Sequence, residues 1–259
     1  MPIRPAWRKW LADFADAVDH LHLTRVSFEF SEQGERKSVV LALYARICSE
    51  LATALVVANA KRDLAFRATC RAIIECALHL EMAETDSTYL KRLKDDDDAS
   101  RRSRAIRFRS KNPALAKEAD KTLSDFIQSL PKQQSKLQVS EIDTALPRLT
   151  HSYRELSADT VHVSLTSIQR HVAPDREGID RLRIEPRFDV HELEDAASLM
   201  ALALLNATRI LLSLVPEVSP ARGFHSLHKR YVALHRQGTR NLRESEAAAK
   251  PRRSRSTRH

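Results

Sequence analysis

Residues 153–164, which read YRELSADTVHVS, hold the densest group of chemically capable side chains in this sequence. Tyr153 and Ser157 are four residues apart and therefore share one face of a predicted helix. His162 and Ser164 follow just beyond the predicted end of that helix. Hydroxyl groups beside an imidazole can hydrogen-bond a ligand or move a proton near neutral pH.

A partner for that segment lies on the predicted helix 64–84, which is apolar around most of its circumference. Arg67, Arg71 and Glu75 follow one another at four-residue intervals, so they form one narrow polar row. If this row faces residues 153–164, a guanidinium and a carboxylate meet two hydroxyl groups and an imidazole. The sequence leaves two interpretations open: a network that only holds two helices in register, or a binding or catalytic pocket.

His162 is the candidate through which any activity would run. A helix C-terminus favours the charged imidazolium, a nearby Glu75 would also favour it, and burial would oppose both. Opposing effects of this kind keep a histidine titrating near neutrality. The predicted pocket consists of Arg67, Arg71, Glu75, Tyr153, Ser157, His162 and Ser164, and the candidate catalytic residues are His162, Arg71 and Arg154.

Three short motifs resemble a bacterial family known only as domain of unknown function 5677. They are Arg71-Ala-Ile-Ile-Glu75 on the buried helix, Tyr153-Arg-Glu-Leu-Ser157, and His162-Val-Ser164. The resemblance extends over about residues 40–215 and leaves the first forty residues and the basic C-terminus outside. It implies a helical domain with these polar positions, and it implies no activity.

One enzymatic alternative is a metal-independent ribonuclease of the HEPN type, as found in toxins and phage defence. Such a helical bundle carries an arginine and a histidine, with four to six residues between them, at a dimer interface. Arg230 and His235 fit with four residues between them, and Arg222 and His228 fit with five. The polar residue that this family carries after the arginine is missing from both. Chance also predicts such spacings in a chain with 11 His.

Other kinds of site lack their sequence signatures. The chain has 4 glycines in 259 residues, which disfavours glycine-rich phosphate loops and all-β folds. No set of three or four side chains has the spacing of a zinc site, so neither a metal nor a cofactor is predicted. The cysteines lie in apolar helical stretches and are predicted to be reduced, buried thiols: Cys48, Cys70 and Cys76.

The hydrophobic spacing predicts an all-α protein, a single helical bundle of about five to seven helices. The predicted helices cover residues 5–22, 37–60, 64–84, 112–130, 147–161 and 189–215. At most a minor two-stranded β element is expected, formed by residues 25–30 and 181–185, which alternate polar and apolar side chains. Residues 1–217 are predicted to form the bundle, 218–243 a C-terminal helical extension, and 244–259 a disordered basic tail.

The formal net charge of +9 is concentrated at the C-terminus, where residues 240–259 carry more than half of it. Tail arginines could make weak, non-specific contact with nucleic-acid phosphates: Arg252, Arg253, Arg255 and Arg258. The most apolar stretch, residues 199–215, is too short to span a bilayer comfortably. The sequence therefore predicts a soluble, cytoplasmic protein without a membrane partner, and it leaves a homodimer open.

These observations together predict a binding or regulatory module with a polar pocket between helices. The competing prediction is the HEPN-like ribonuclease, which would use Arg71 or Arg154 together with His162. Neither prediction names a ligand, because no motif in the chain specifies one.

Overall fold

The computed structural model is a helical bundle, with nine helices in the part of the chain that it describes. That part comprises residues 3–21, 23, 26–27, 31–131, 137, 139, 146–160, 164–174, 178–186, 188–218 and 223–249. The helices are α1 (Pro5–Asp19), α2 (Glu32–Asn59), α3 (Asp63–Thr85), α4 (Tyr89–Lys111), α5 (Lys117–Ser129), α6 (Pro147–Thr160), α7 (Leu165–Gln169), α8 (Val190–Leu214) and α9 (Phe224–Ala249). The predicted all-α class is confirmed. The number of helices exceeds the expected five to seven because α4 and α7 are regular helices outside the predicted ranges.

Two short strands pair next to α7, and they are the minor β element of the described chain. β1 (Val172–Pro174) runs antiparallel to β2 (Asp180–Leu182), with Val172 opposite Leu182. The strand predicted at residues 181–185 therefore has a partner that the sequence did not single out, since Val172–Pro174 was not predicted as a strand. A local hairpin closes a short loop and loses less chain entropy than a pairing across most of the sequence. Of the expected strand, residues 25 and 28–30 lie outside the described residues.

The centre of the bundle is formed by α3 and α8, and α3 also packs against α2 and α6. On α3, Cys70, Ile74 and Ala77 are fully buried, and on α8 so are Ala197 and Leu204. The small side chains among them allow two helices to approach closely, and the larger ones fill the remaining space. Apolar packing thus occupies most of the surface of α3 and leaves its polar row for α6.

α1 and the first half of α9 pack together through aromatic side chains. Trp10 stacks on Phe14 with ring centroids 5.3 Å apart, and the Trp7 ring lies 6.3 Å from that of Tyr231. The indole N–H of Trp10 donates a hydrogen bond of 2.9 Å to the backbone carbonyl of Leu227. Trp7, Trp10, Phe14 and Tyr231 belong to one apolar core, which therefore includes both α1 and α9.

The predicted start of the disordered tail is wrong, because α9 continues to Ala249 and residues 244–249 are helical. This segment contains three alanines and two glutamates, which are strong helix formers. The tail was predicted to be disordered because it contains no large apolar side chain to bury. Alanine and glutamate can nevertheless extend an existing helix without such burial. Residues 250–259, with the tail arginines, lie outside the described residues.

In the described ranges of the chain, two helices are long and apolar enough to cross a membrane, judged by length and composition alone. They are α8 and the part of α2 from Gly34 to Asn59. The core helix of a soluble protein passes the same test, and most of the apolar window of α8 is buried inside the bundle. The cytoplasmic location stays a prediction.

Candidate functional site

The polar row of α3 faces α6, and Arg71 is at the centre of a network between the two helices. Its Nε donates to Ser157 Oγ at 2.8 Å, its Nη2 to Tyr153 Oη at 2.8 Å, and its Nη1 to Glu75 Oε2 at 3.2 Å. The guanidinium carbon also lies 4.8 Å from the centre of the Tyr153 ring, a distance typical of a cation–π contact. The structure therefore brings four of the predicted pocket residues together.

The two hydroxyl groups of this network complete it by donating hydrogen bonds of their own. Tyr153 Oη donates to Glu75 Oε1 at 3.2 Å, and Ser157 Oγ donates to the backbone carbonyl of Tyr153 at 2.7 Å. Burial, and then the negative charge of Glu75, raise the pKa of Tyr153 above its ordinary value. The phenol therefore stays protonated near neutral pH and remains a donor, which suits a structural or ligand-binding role better than a catalytic base.

One turn earlier on α3, Arg67 belongs to a second and more deeply buried cluster. Arg67 Nη2 donates to Asp159 Oδ2 at 2.6 Å, and Arg170 Nη2 donates to the same oxygen at 2.9 Å. Arg170 also donates two hydrogen bonds to Glu192, from Nη2 to Oε1 at 2.7 Å and from Nη1 to Oε2 at 3.0 Å. Two guanidinium groups and two carboxylates thus balance each other in charge.

Phe188 holds this cluster from one side and a helix start holds it from another. The guanidinium carbons of Arg67 and Arg170 lie 4.9 Å and 4.5 Å from the centre of the Phe188 ring. Glu192 is the third residue of α8 and its Oε2 accepts from the backbone N–H of Asp189, as in a capping box. The start of α8 therefore fixes the carboxylate that receives Arg170.

A cavity of about 360 Å³ opens beside this cluster between α6 and α8, and we call it the α6–α8 cavity. Its volume lies within the range of small-molecule sites. Its wall contains four carboxylates and two guanidinium groups, from Glu155, Asp159, Glu192, Asp195, Arg67 and Arg170. The remaining wall is formed by Ser152, Leu156, Ala196 and Leu199.

The sequence matches the model of a family of unknown function, DUF5677, over residues 37–179, which is more than half of the chain. The chain belongs to the DUF5677 family. The resemblance noted from the sequence is confirmed. No curated protein and no solved structure matches the chain.

The match of DUF5677 spans α2 to α7 and so includes both helices that carry the Arg71 network. Asp159 and Arg170 also lie within it. Phe188 and Glu192 lie beyond its end, so the α6–α8 cavity is built partly from the family region and partly from α8.

Besides Arg67, three predicted residues of this DUF5677 chain are not part of the Arg71 network as described. Ser164 is the N-cap of α7, where its Oγ accepts from the backbone N–H of Ser167 at 3.1 Å. Arg154 is exposed on α6. His162 lies outside the described residues, so its role stays a prediction.

The sequence did not single out Asp159, Arg170, Phe188 and Glu192. Only Glu192 has a local signal, since Asp189 and Glu192 have the spacing of a capping box before an apolar helix. The others are ordinary surface-type residues until α6, α7 and the start of α8 come together. Among the predicted pocket residues that the structure describes, Arg67 is the one that lines the α6–α8 cavity.

Arg230 and His235 do not converge, although their spacing fits the HEPN motif. Arg230 Nη1 donates to Asp13 Oδ2 on α1 at 2.6 Å. His235 Nδ1 lies 2.9 Å from Ser198 Oγ on α8. The two side chains therefore engage different helices, and Arg222 of the other spacing is outside the described residues.

The thiols are poor nucleophiles. Burial raises the pKa of Cys70 to about 12 and that of Cys76 to about 11, and burial also raises the pKa of Cys48. A thiol with so high a pKa holds little thiolate at neutral pH. No group of three or more histidine, cysteine or acidic side chains that could hold a metal ion is found in the described part of the chain.

Proposed function

We propose that this DUF5677 chain is a ligand-binding module, and that its ligand is a small organic cation held in the α6–α8 cavity. The observation that carries the proposal is the charge of the cavity wall, with four carboxylates against two guanidinium groups. An amine or guanidinium of modest size would supply the missing positive charge and would fit the volume of about 360 Å³.

The two inner carboxylates are already matched. Asp159 accepts from Arg67 and Arg170, and Glu192 accepts from Arg170. These ion pairs shape the floor of the cavity and are largely removed from water, so they favour one rigid arrangement. A ligand does not have to displace them.

The two outer carboxylates are the ones available to a cation. Glu155 lies 3.3 Å from His151, which carries a charge only when it is protonated, and Asp195 forms an ion pair with Arg148 at 2.5 Å. All four side chains are exposed. Exposed ion pairs contribute little free energy because water and salt screen them. A bound cation can therefore replace either partner at small cost.

The Arg71 network then has a positioning role. It ties Tyr153 and Ser157 of α6 to α3, and it satisfies its own hydrogen-bonding groups without a ligand. By fixing α6 it fixes Glu155 and Asp159, which project from the same helix. The interpretation that the network holds two helices in register is compatible with this binding role.

Isothermal titration calorimetry with agmatine and putrescine tests the proposal, with the neutral isobutanol and the anionic succinate as comparisons. The cations should bind and the other two should not. Glu155→Gln should weaken cation binding about 5- to 10-fold, the size expected for one partly exposed ion pair. Glu118→Gln, at an exposed carboxylate on α5, is the matched control and should leave the affinity unchanged. Equal affinities of the two variants, or equal binding of the neutral compound, would contradict the proposal.

The HEPN-like ribonuclease stays the alternative prediction, with Arg71 or Arg154 acting together with His162. Purified protein incubated with total RNA, with and without a chelator, separates the two functions. A binding module leaves the RNA intact in both. Chelator-resistant cleavage that His162→Gln abolishes would favour the ribonuclease.

Nucleic-acid contact through the basic tail is a separate prediction for Arg252, Arg253, Arg255 and Arg258. Such contact would be electrostatic, so it should weaken steeply with salt. A chain that ends at Ala249 should lose it, and unchanged binding by that chain would rule it out.

A further inference from the structure

A second cavity of about 380 Å³ lies between α1, the start of α8 and α9, and it shares Asp195 with the α6–α8 cavity. Trp7 and Arg4 of the α1 region, Glu194 of α8, and Leu234 and Gly238 of α9 are among its lining residues. We call it the α1–α9 cavity. Its volume lies within the range of small-molecule sites.

Gly238 leaves space in the wall of this cavity. It sits in the interior of α9, where glycine destabilises a helix by about 0.5–1 kcal/mol relative to alanine. Its backbone does not need glycine, because the described glycines with positive φ are Gly178 and Gly223. A Cβ at Gly238 would come within 3.7 Å of Arg4 Nη2 and 3.9 Å of Glu194 Oε2, which is ordinary contact. A Cβ would therefore fit, and because Gly238 lines the cavity, a side chain that extends beyond Cβ would take up cavity space.

Two donors of the α1–α9 cavity have neither a hydrogen-bond acceptor nor an ion-pair partner among the described residues, whereas Arg4 Nε faces Glu194. The indole Nε1 of Trp7 and Nη2 of Arg4 are buried, and neither has a hydrogen-bond partner among the described residues. Trp10, one turn further along α1, shows the usual arrangement, since its Nε1 donates to the carbonyl of Leu227. Buried donors are nearly always paired, so two of them at one cavity indicate a missing acceptor.

Several other polar groups of the cavity already have partners. Arg4 pairs with Glu194, and Arg148 pairs with Asp195. His235 lies between Arg148, 3.3 Å from its Nε2, and Ser198, 2.9 Å from its Nδ1. Because arginine can only donate, Nε2 accepts and the ring is neutral, in agreement with a pKa that burial and then Arg148 lower.

A carboxylate can satisfy both donors at once, because its two oxygens can accept from the indole N–H and from the guanidinium N–H, and guanidinium–carboxylate hydrogen bonds are among the strongest in proteins. The ligand should also carry an apolar body, because the Trp7 ring and Leu234 form part of the wall. We propose that the α1–α9 cavity binds a small organic carboxylate, whose oxygens accept from Trp7 Nε1 and Arg4 Nη2. Asp195 lines both cavities, but Trp7 and Arg4 line only the α1–α9 cavity, so this proposal does not depend on the function proposed for the α6–α8 cavity.

Calorimetric titration with benzoate and 4-methylpentanoate tests the proposal on the full chain. Benzamide, which has the shape of benzoate without its charge, and inorganic phosphate, an anion without an apolar body, are the comparisons. The two carboxylates should bind, and the comparisons should bind at least 10-fold more weakly, as expected for the loss of a charged hydrogen bond. Binding of phosphate alone, equal binding of benzamide, or no binding of either carboxylate would overturn the proposal.

Gly238→Leu provides the variant test, because it fills the cavity from a helix that favours leucine over glycine. It should abolish carboxylate binding without lowering the melting temperature. Gln237→Leu, at the exposed neighbouring position, is the matched control and should bind as the wild type does. Trp7→Phe keeps an aromatic ring, removes the N–H and should bind at least 10-fold more weakly. Should Gly238→Leu bind benzoate as tightly as the wild type, the ligand does not occupy this cavity.

Discussion

Arg67 and Arg71 lie one turn apart on α3 and both bind α6, yet their surroundings differ. The side chains of Arg67 and its partner Asp159 are 8% and 12% exposed. Those of Arg71 and its partner Glu75 are 19% and 27% exposed. The same side chain on the same helix face therefore forms a buried ion pair in one turn and a partly hydrated network in the next.

The two arginines also differ in how many of their nitrogen atoms have a hydrogen-bond acceptor. Every nitrogen of Arg71 donates to an oxygen, and two of its acceptors are neutral hydroxyl groups. The Nε atoms of Arg67 and Arg170 are buried and have no partner among the described residues. Because water reaches it poorly, the Arg67 cluster depends on the balance of its charges, whereas the Arg71 network depends on individual hydrogen bonds.

Asp159→Asn should produce the largest effect, because it removes the carboxylate that two guanidinium groups share. Loss of one partner from a buried ion pair typically lowers the free energy of unfolding by about 3–5 kcal/mol. Denaturant unfolding measures it. Asp120→Asn, in the bidentate but exposed pair with Arg109, is the matched control and should leave the midpoint nearly unchanged. Similar losses in both variants would show that burial does not distinguish the Arg67 cluster.

The position of the α3 row and of its partners on α6 could be predicted from sequence because both depend on helical spacing. Arg71 and Glu75, like Tyr153 and Ser157, are four residues apart, and a helix places such pairs on one face whatever the rest of the fold. That the two faces meet was less certain from sequence, because α6 carries polar side chains around most of its circumference and only Leu149, Ser152 and Leu156 are buried.

The Arg67 cluster could not be predicted in the same way. Arg170 follows α7 and Glu192 begins α8, so their meeting with Asp159 depends on the path of the chain between three elements. No periodicity relates such residues. The strand pairing was missed for a similar reason, since alternation marks a strand but does not identify its partner.

Lowering the pH should have the next largest effect, and it should act on the Arg67 cluster through the carboxylate of Glu192. Burial alone would raise the pKa of Glu192. Hydrogen bonds from Arg170 and from the N–H of Asp189 outweigh burial, and the charges of Arg170 and Arg67 add to them, so the pKa is lowered from its ordinary value of 4.5. A carboxyl group with a lowered pKa stabilises the fold above its ordinary pKa and loses this contribution as pH falls through the lowered value. Unfolding measured from pH 7 to pH 2 should therefore show Glu192→Gln destabilised at neutral pH and less sensitive than the wild type below pH 4.5. Parallel curves would contradict this.

Tyr153→Phe should have a smaller effect, because the Arg71 network is partly hydrated. The variant keeps the ring beneath Arg71 and removes one donor to Glu75 and one acceptor of Arg71. Water can reach both freed groups, so the free energy of unfolding should fall by about 0.5–1.5 kcal/mol. A loss as large as that of Asp159→Asn would mean that the two regions are equally desolvated.

Ser157→Ala should have the smallest effect, because two contributions oppose each other. The substitution removes the acceptor of Arg71 Nε, which lowers the free energy of unfolding by about 0.5–1.5 kcal/mol. It also replaces serine by the best helix former, and the serine hydroxyl currently bonds the backbone of its own helix, which disfavours the helix slightly. The net change should stay within about 0.5 kcal/mol of the wild type.

Combining Ser157→Ala with Tyr153→Phe then measures coupling within the network, because the double variant removes both hydroxyl partners of Arg71. A double variant that loses more than the sum of the singles shows that each hydroxyl group compensates for the other. Simple additivity would show that Arg71 holds two independent bonds.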